Sequence, residues 1–133
     1  MSDYIPQKNK VQRPMSPHLQ IYKPQITSVL SILHRITGVG LVFGLLMFLW
    51  FIGALATSPE AFTTFVGFSS SFLGYIFILG FIIALSYHFC NGIRHLFWDI
   101  GIGYDIEMVT KTGIAVLIST AILSLLVVIS ILA

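Results

Sequence analysis

Charge is what this chain has least of. Of its 133 residues, 9% are Asp, Glu, Lys or Arg, and 56% are hydrophobic. A soluble domain carries roughly a quarter charged residues. A chain this short cannot hide such an apolar excess in one water-soluble core, so its surface calls for lipid as solvent. The net charge of +2, without any run of Lys and Arg, gives no basis for a nucleic-acid partner. The single cysteine, Cys90, excludes an internal disulfide and reads as a small buried hydrophobe. Internal repeats and low-complexity segments are missing as well. So is the alternation of short strands that a membrane barrel needs.

What is there lies between the charges. No charged residue occurs from Ile36 to Pro59, from Ala61 to Ile93, or from Thr112 to Ala133. Crossing about 30 Å of hydrocarbon takes roughly 20 predominantly apolar residues, and lipid offers no partner to free backbone groups, so each run must be helical. The expectation is an all-α membrane protein of three transmembrane helices, at about 27–56, 68–100 and 111–132. Lys8, Lys10, Arg13, Lys23 and Arg35 lie before or just inside the first helix, and Arg94 and Lys111 flank the second connection. The first connection holds Glu60 and no Lys or Arg. Positive charge therefore falls on one side, which puts the N-terminus and the second connection in the cytoplasm or the mitochondrial matrix, and the C-terminus outside.

The beginning of the chain does not read as a targeting sequence, which would open on a basic patch and then an apolar stretch. Instead Pro6, Pro14, Pro17 and Pro24, four of the five prolines, fall within the first 24 residues. Proline fixes φ and removes a donor, so residues 1–26 are expected as an extended arm on the cytoplasmic face, set against a soluble partner. A disordered leader is the plainer alternative.

Polar groups are expensive in a membrane, so chemistry is sought where they enter it. Ser31, His34 and Arg35 share one face at the start of the first helix, and Gly38 continues that face. His88, Asn91, Arg94 and His95 lie toward the inner end of the second. His88 and His95 are two turns apart, about 10 Å along the axis, which makes His88 the deeper. Ala84 and Gly92, four residues to either side of His88, leave space for a broad flat group. A neutral imidazole in an apolar site is a good haem-iron ligand, and His34, Arg35, Arg94 and His95 offer partners for propionates at a shallower level. Spacing alone leaves open a histidine satisfied by interhelical hydrogen bonds. Asp99, Asp105 and Glu107 cluster near the second connection, so the spans lack the buried carboxylates of a proton relay. Gly40 and Gly44 form a GxxxG pair, a sign of close helix packing.

Three blocks carry a resemblance. They are Arg13-Pro14-Met15-Ser16-Pro17-His18-Leu19 through Tyr22, Ser31-Ile32-Leu33-His34-Arg35-Ile36-Thr37-Gly38, and Tyr87-His88-Phe89-Cys90-Asn91-Gly92-Ile93-Arg94-His95 with Asp99 after it. From about Gln12 onward the chain resembles the cytochrome b membrane-anchor subunit of succinate dehydrogenase, respiratory complex II. The resemblance implies one of two small anchors in a heteromeric helical bundle, carrying a flavoprotein and an iron–sulfur subunit. It implies haem b between the anchors, with His88 as this chain's axial ligand and the second ligand from the partner anchor. His34, Arg35 and His95 then match positions near the propionates, and Ser31 and Arg35 match ubiquinone-site residues. A bacterial inner membrane, or the mitochondrial inner membrane, is the implied location. Succinate oxidation is assigned to another subunit, since one Cys cannot hold a cluster and no flavin motif is present.

Two other classes compete. A purely structural anchor would carry no haem. A small transporter would need a polar path in the third helix, to which Thr112, Ser119, Thr120, Ser124 and Ser130 contribute only hydroxyls. Hydroxyls of that kind ordinarily bond the carbonyl one turn back.

Overall fold

The structure is a computed structural model, which describes residues 23–133. The extended arm expected over 1–26 lies almost wholly outside the described residues; Lys23 to Gln25 run without regular structure into the first helix. The described residues form four helices and no strand: α1 Ile26–Thr57, α2 Pro59–Ser69, α3 Phe72–Asp99 and α4 Ile106–Leu132. Three of them, α1, α3 and α4, are long and apolar enough to cross a membrane. At 1.5 Å per residue, 27 to 32 residues give helices of about 40–48 Å. The fold is a transmembrane helical bundle.

The first connection differs from the sequence expectation. It contains a helix of its own, α2, and the second span starts after Phe68, where it was expected. Ser58 starts that helix by accepting from the Ala61 N–H at 3.2 Å, with Pro59 in the first turn, where a missing donor costs nothing. The carboxyl of Glu60 is held below the usual carboxylate range by its own backbone N–H and then by the Ser58 hydroxyl. Ser70 and Ser71 break the chain again. The Ser71 side chain accepts from the Gly74 N–H at 3.1 Å and opens α3 four residues later than expected. Gly74 is obligatory there, because a Cβ would collide with the Phe68 carbonyl oxygen. The helix expected from Lys111 starts earlier, at Ile106. Its first turns carry an exposed Glu107–Lys111 ion pair at 2.6 Å, so the helix is already formed before the charge-free run begins.

α3 is the central element and packs on all three others. Leu30 of α1, Tyr87 of α3 and Val116 of α4 form the buried core where the three spans meet, and the Tyr87 hydroxyl donates to the Leu30 carbonyl at 2.7 Å. Glycines set the approach of α1 to α3. A Cβ on Gly44 would run into the Phe81 ring, and one on Gly40 would touch Ala84 at 3.9 Å. The GxxxG pair thus lies on the α1–α3 seam. Ala84 and Gly92, expected to make room for a flat group, face α1 instead: a Cβ on Gly92 would meet the His34 ring at 3.8 Å. Trp50 and Phe51 of α1 pack against Phe62, Phe65 and Phe68, tying α2 to the far end of α1.

Candidate functional site

The site forms where the early turns of α1 meet the last third of α3. His34 and His88 stack face to face, with ring centroids 3.9 Å apart and planes at 11°. His34 also approaches His95, at 5.0 Å between centroids. One imidazole from α1 thereby fills the two-turn gap between the two histidines of α3. All three are half-buried. Gly38 lies against this pair: an added Cβ would stand 3.2 Å from His88 Cε1, a tight contact.

Hydrogen bonding distinguishes the rings. His88 Nδ1 lies 3.2 Å from the His34 carbonyl oxygen and 3.3 Å from Thr37 Oγ1. A carbonyl only accepts, so the His34 contact is a hydrogen bond when the proton is on Nδ1, and in that neutral tautomer the lone pair resides on Nε2. Nε2 of His88 has no hydrogen-bond partner among the described residues. His34 Nδ1 is buried and unpartnered there too. His95 instead packs edge-on against Trp98, at 5.2 Å.

The remaining expected residues separate into two groups. Ser31 is half-buried and Arg35 exposed, one turn apart on α1, so both are available to a ligand arriving at this end of the bundle. Arg94 does not join them. It faces α4, 5% exposed, where Nε donates to Thr112 Oγ1 at 3.1 Å and Nη2 to the Val109 carbonyl at 2.9 Å. Its guanidinium lies 4.0 Å from the Trp98 ring centroid. Arg94 therefore fastens α3 to α4 and makes no hydrogen bond to the histidines among the described residues. Asn91, fully buried on the same helix, has neither amide atom partnered among the described residues.

No group of three or more His, Cys, Asp or Glu side chains converges on a metal position among the described residues. Of the α4 hydroxyls, Thr112, Thr120 and Ser130 donate to carbonyls in their own helix, and Ser124 is buried without a partner among the described residues. A cavity of about 630 Å³ between α3 and α4, lined by Cys90, Arg94, Trp98, Met108 and Thr112 among others, contains none of the histidines and neither Ser31 nor Arg35.

A family model described as succinate dehydrogenase/fumarate reductase transmembrane subunit matches residues 9–127. This chain belongs to that family. It is 44% identical over 115 residues to the succinate dehydrogenase cytochrome b556 subunit of Rickettsia prowazekii, covering 86% of this chain and 90% of the relative. Identity to the cytochrome b556 subunit of Paracoccus denitrificans is 41% over 118 residues, covering 89% and 91%. The cytochrome b560 subunit of Marchantia polymorpha is 42% identical over 123 residues, covering 88% and 89%. As a member of the succinate dehydrogenase cytochrome b family, the chain is one subunit of an oxidoreductase complex in a membrane.

Sequence reading does not single out Thr37 or Tyr87, which make two of the contacts between α1 and α3. Thr37 stands three residues after His34, so helical spacing already puts it beside that residue. Nothing in the sequence says that α3 brings His88 to the same point.

Proposed function

We propose that this chain is the anchor through which a succinate dehydrogenase binds haem b and presents ubiquinone to electrons from succinate. The observation that carries the reading is the His88 imidazole. Its Nδ1–H is engaged by α1, and its Nε2 lone pair is left for a metal, the arrangement that metal-ligating histidines adopt. An orphaned, buried His34 Nδ1 beside it supports the fit, because a donor or acceptor left unpaired in a membrane calls for a polar partner.

When bound, haem b supplies a one-electron carrier within the membrane. His88 would hold its iron from this chain, together with a residue of a second membrane anchor. His34, Arg35 and His95 would bind its propionates near the inner surface. Ser31 donates a hydrogen bond to a ubiquinone carbonyl oxygen, and the Arg35 guanidinium favours negative charge as that oxygen is reduced. This placement leaves the quinone head near water, where protons are available. Succinate is oxidised on the flavoprotein subunit, and an iron–sulfur subunit relays the electrons. The N-terminus lies on the side of those soluble subunits, a reading that the distribution of Lys and Arg supports. The membrane is the bacterial inner membrane or its mitochondrial counterpart.

Affinity purification of the tagged chain in mild detergent tests this directly. The expected product contains a flavoprotein, an iron–sulfur protein, a second small membrane chain and a low-spin haem b spectrum. Co-purification of the three chains without haem would leave a structural anchor in its place.

A further inference from the structure

The hydrogen bonds around His88 do more than leave Nε2 free, a point that rests on reading His88 as the axial ligand. The Thr37 hydroxyl lies 2.9 Å from the Leu33 carbonyl, 2.9 Å from the His34 carbonyl and 3.3 Å from His88 Nδ1. A hydroxyl has one proton, and both carbonyls only accept. The proton therefore goes to a backbone carbonyl of α1, and an oxygen lone pair faces His88 Nδ1–H. The His34 carbonyl, at 3.2 Å, accepts from the same N–H. Two acceptors on α1 thus share one donor on α3. The His34 ring covers one face of His88 at 3.9 Å, and Gly38 brings the α1 backbone up to the ring edge. The ring is held against rotation and in one tautomer.

We infer that Thr37, with the His34 carbonyl, is the positioning element that fixes the tautomer of His88 and sets how strongly its Nε2 donates to iron, so that α1 tunes a haem ligated from α3. An acceptor on Nδ1–H makes an imidazole a stronger donor. A stronger donor favours the ferric form and lowers the reduction potential. Removing the hydroxyl weakens that donation, and the potential rises.

The test uses the assembled complex, three variants of Thr37 and one of His88. Thr37→Val keeps the shape of the side chain and removes the acceptor; Thr37→Ala removes it without a branched methyl and gives the same readout should the valine complex not assemble; Thr37→Ser keeps the hydroxyl. Redox titration and low-temperature electron paramagnetic resonance of the haem are the readouts. The valine and alanine complexes are expected to retain haem with a shifted low-spin signal. Their ferric-to-ferrous balance should move three- to tenfold toward ferrous, a rise of roughly 30–60 mV at 59 mV per tenfold for one electron. The serine complex should stay near the unsubstituted values. Unchanged potential and signal in the valine and alanine complexes would overturn the inference, and so would a serine complex that behaves like alanine. His88→Leu separates the two levels: a His88→Leu complex with the unsubstituted haem signal removes the ligand assignment itself, whereas loss of that signal with silent Thr37 variants removes only the role of Thr37.

Discussion

His34 and His88 stand 54 positions apart in the chain yet lie 3.9 Å apart as near-parallel rings, and the backbone carbonyl of the first accepts from the second. Each ring limits the other, since α1 provides both the stacking face and the acceptor. The pair joins the two helices at the depth where a haem ligand from α3 is proposed.

The seam that makes this possible should be sensitive to volume. On Gly44 a Cβ would run into the Phe81 ring, while Gly53 on the same helix has nothing within 4 Å. Gly44→Ala should lower the stability of the complex by about 1–3 kcal/mol through overpacking. Gly53→Ala should leave it unchanged. Thermal denaturation of the detergent-solubilised complex measures both, and equal melting temperatures would remove the seam from the account.

Arg94 should behave as a fastener between helices. Arg94→Leu removes two hydrogen bonds and the stack on Trp98. A hydrogen bond from a charged group contributes about 1.5–3 kcal/mol. Assembly yield and melting temperature should fall. Arg94→Lys should restore little, because an ammonium lacks the planar fork that meets Thr112, Val109 and Trp98 together. In whatever complex assembles, the haem spectrum should be unaltered, because the hydrogen bonds of Arg94 go to α4 and not to the histidines. A selective change in the haem spectrum with normal stability would contradict this assignment.

Ser31 and Arg35 should separate quinone reduction from succinate oxidation. Ser31→Ala and Arg35→Leu are expected to slow succinate-to-quinone turnover by roughly ten- to a hundredfold, the scale of a lost charge-assisted hydrogen bond. Reduction of a water-soluble dye by succinate should continue at the unsubstituted rate. Normal quinone turnover in assembled variants would place the quinone elsewhere.

Topology gives a fourth prediction. Reporter fusions at Glu60 and Ala133 should signal outside, and those at Asp105 inside, because the Lys and Arg residues fall on one side. An outside signal at Asp105 would reverse the orientation and with it the side on which the soluble subunits dock.

The spans are legible in the sequence because charge-free runs of more than 20 residues admit only helices in lipid. For α1 the expected and observed ends agree to within one residue, 27–56 against Ile26–Thr57. α2 is not legible, because Phe62, Phe65 and Phe68 take their order from packing on Trp50 and Phe51, a tertiary contact that no local pattern announces. Within the site, helical spacing alone makes Ser31, His34 and Arg35 neighbours. It does not reveal which residues of α3 face them. Arg94 and His95 are adjacent in the sequence but face different helices, so spacing groups Arg94 with the histidines although its contacts are with α4. Thr37 acquires its significance only from His88 across the seam.

His88, and not His95, is the proposed ligand of the haem iron. The most direct measurement is the reduced-minus-oxidised absorption spectrum of purified complexes carrying His88→Leu or His95→Leu, normalised to flavin content. His88→Leu should abolish or grossly alter the low-spin b-type bands, and His95→Leu should leave them close to those of the unsubstituted complex. Full low-spin bands in the His88→Leu complex, or equal losses in both, would overturn the assignment of His88 as the ligand.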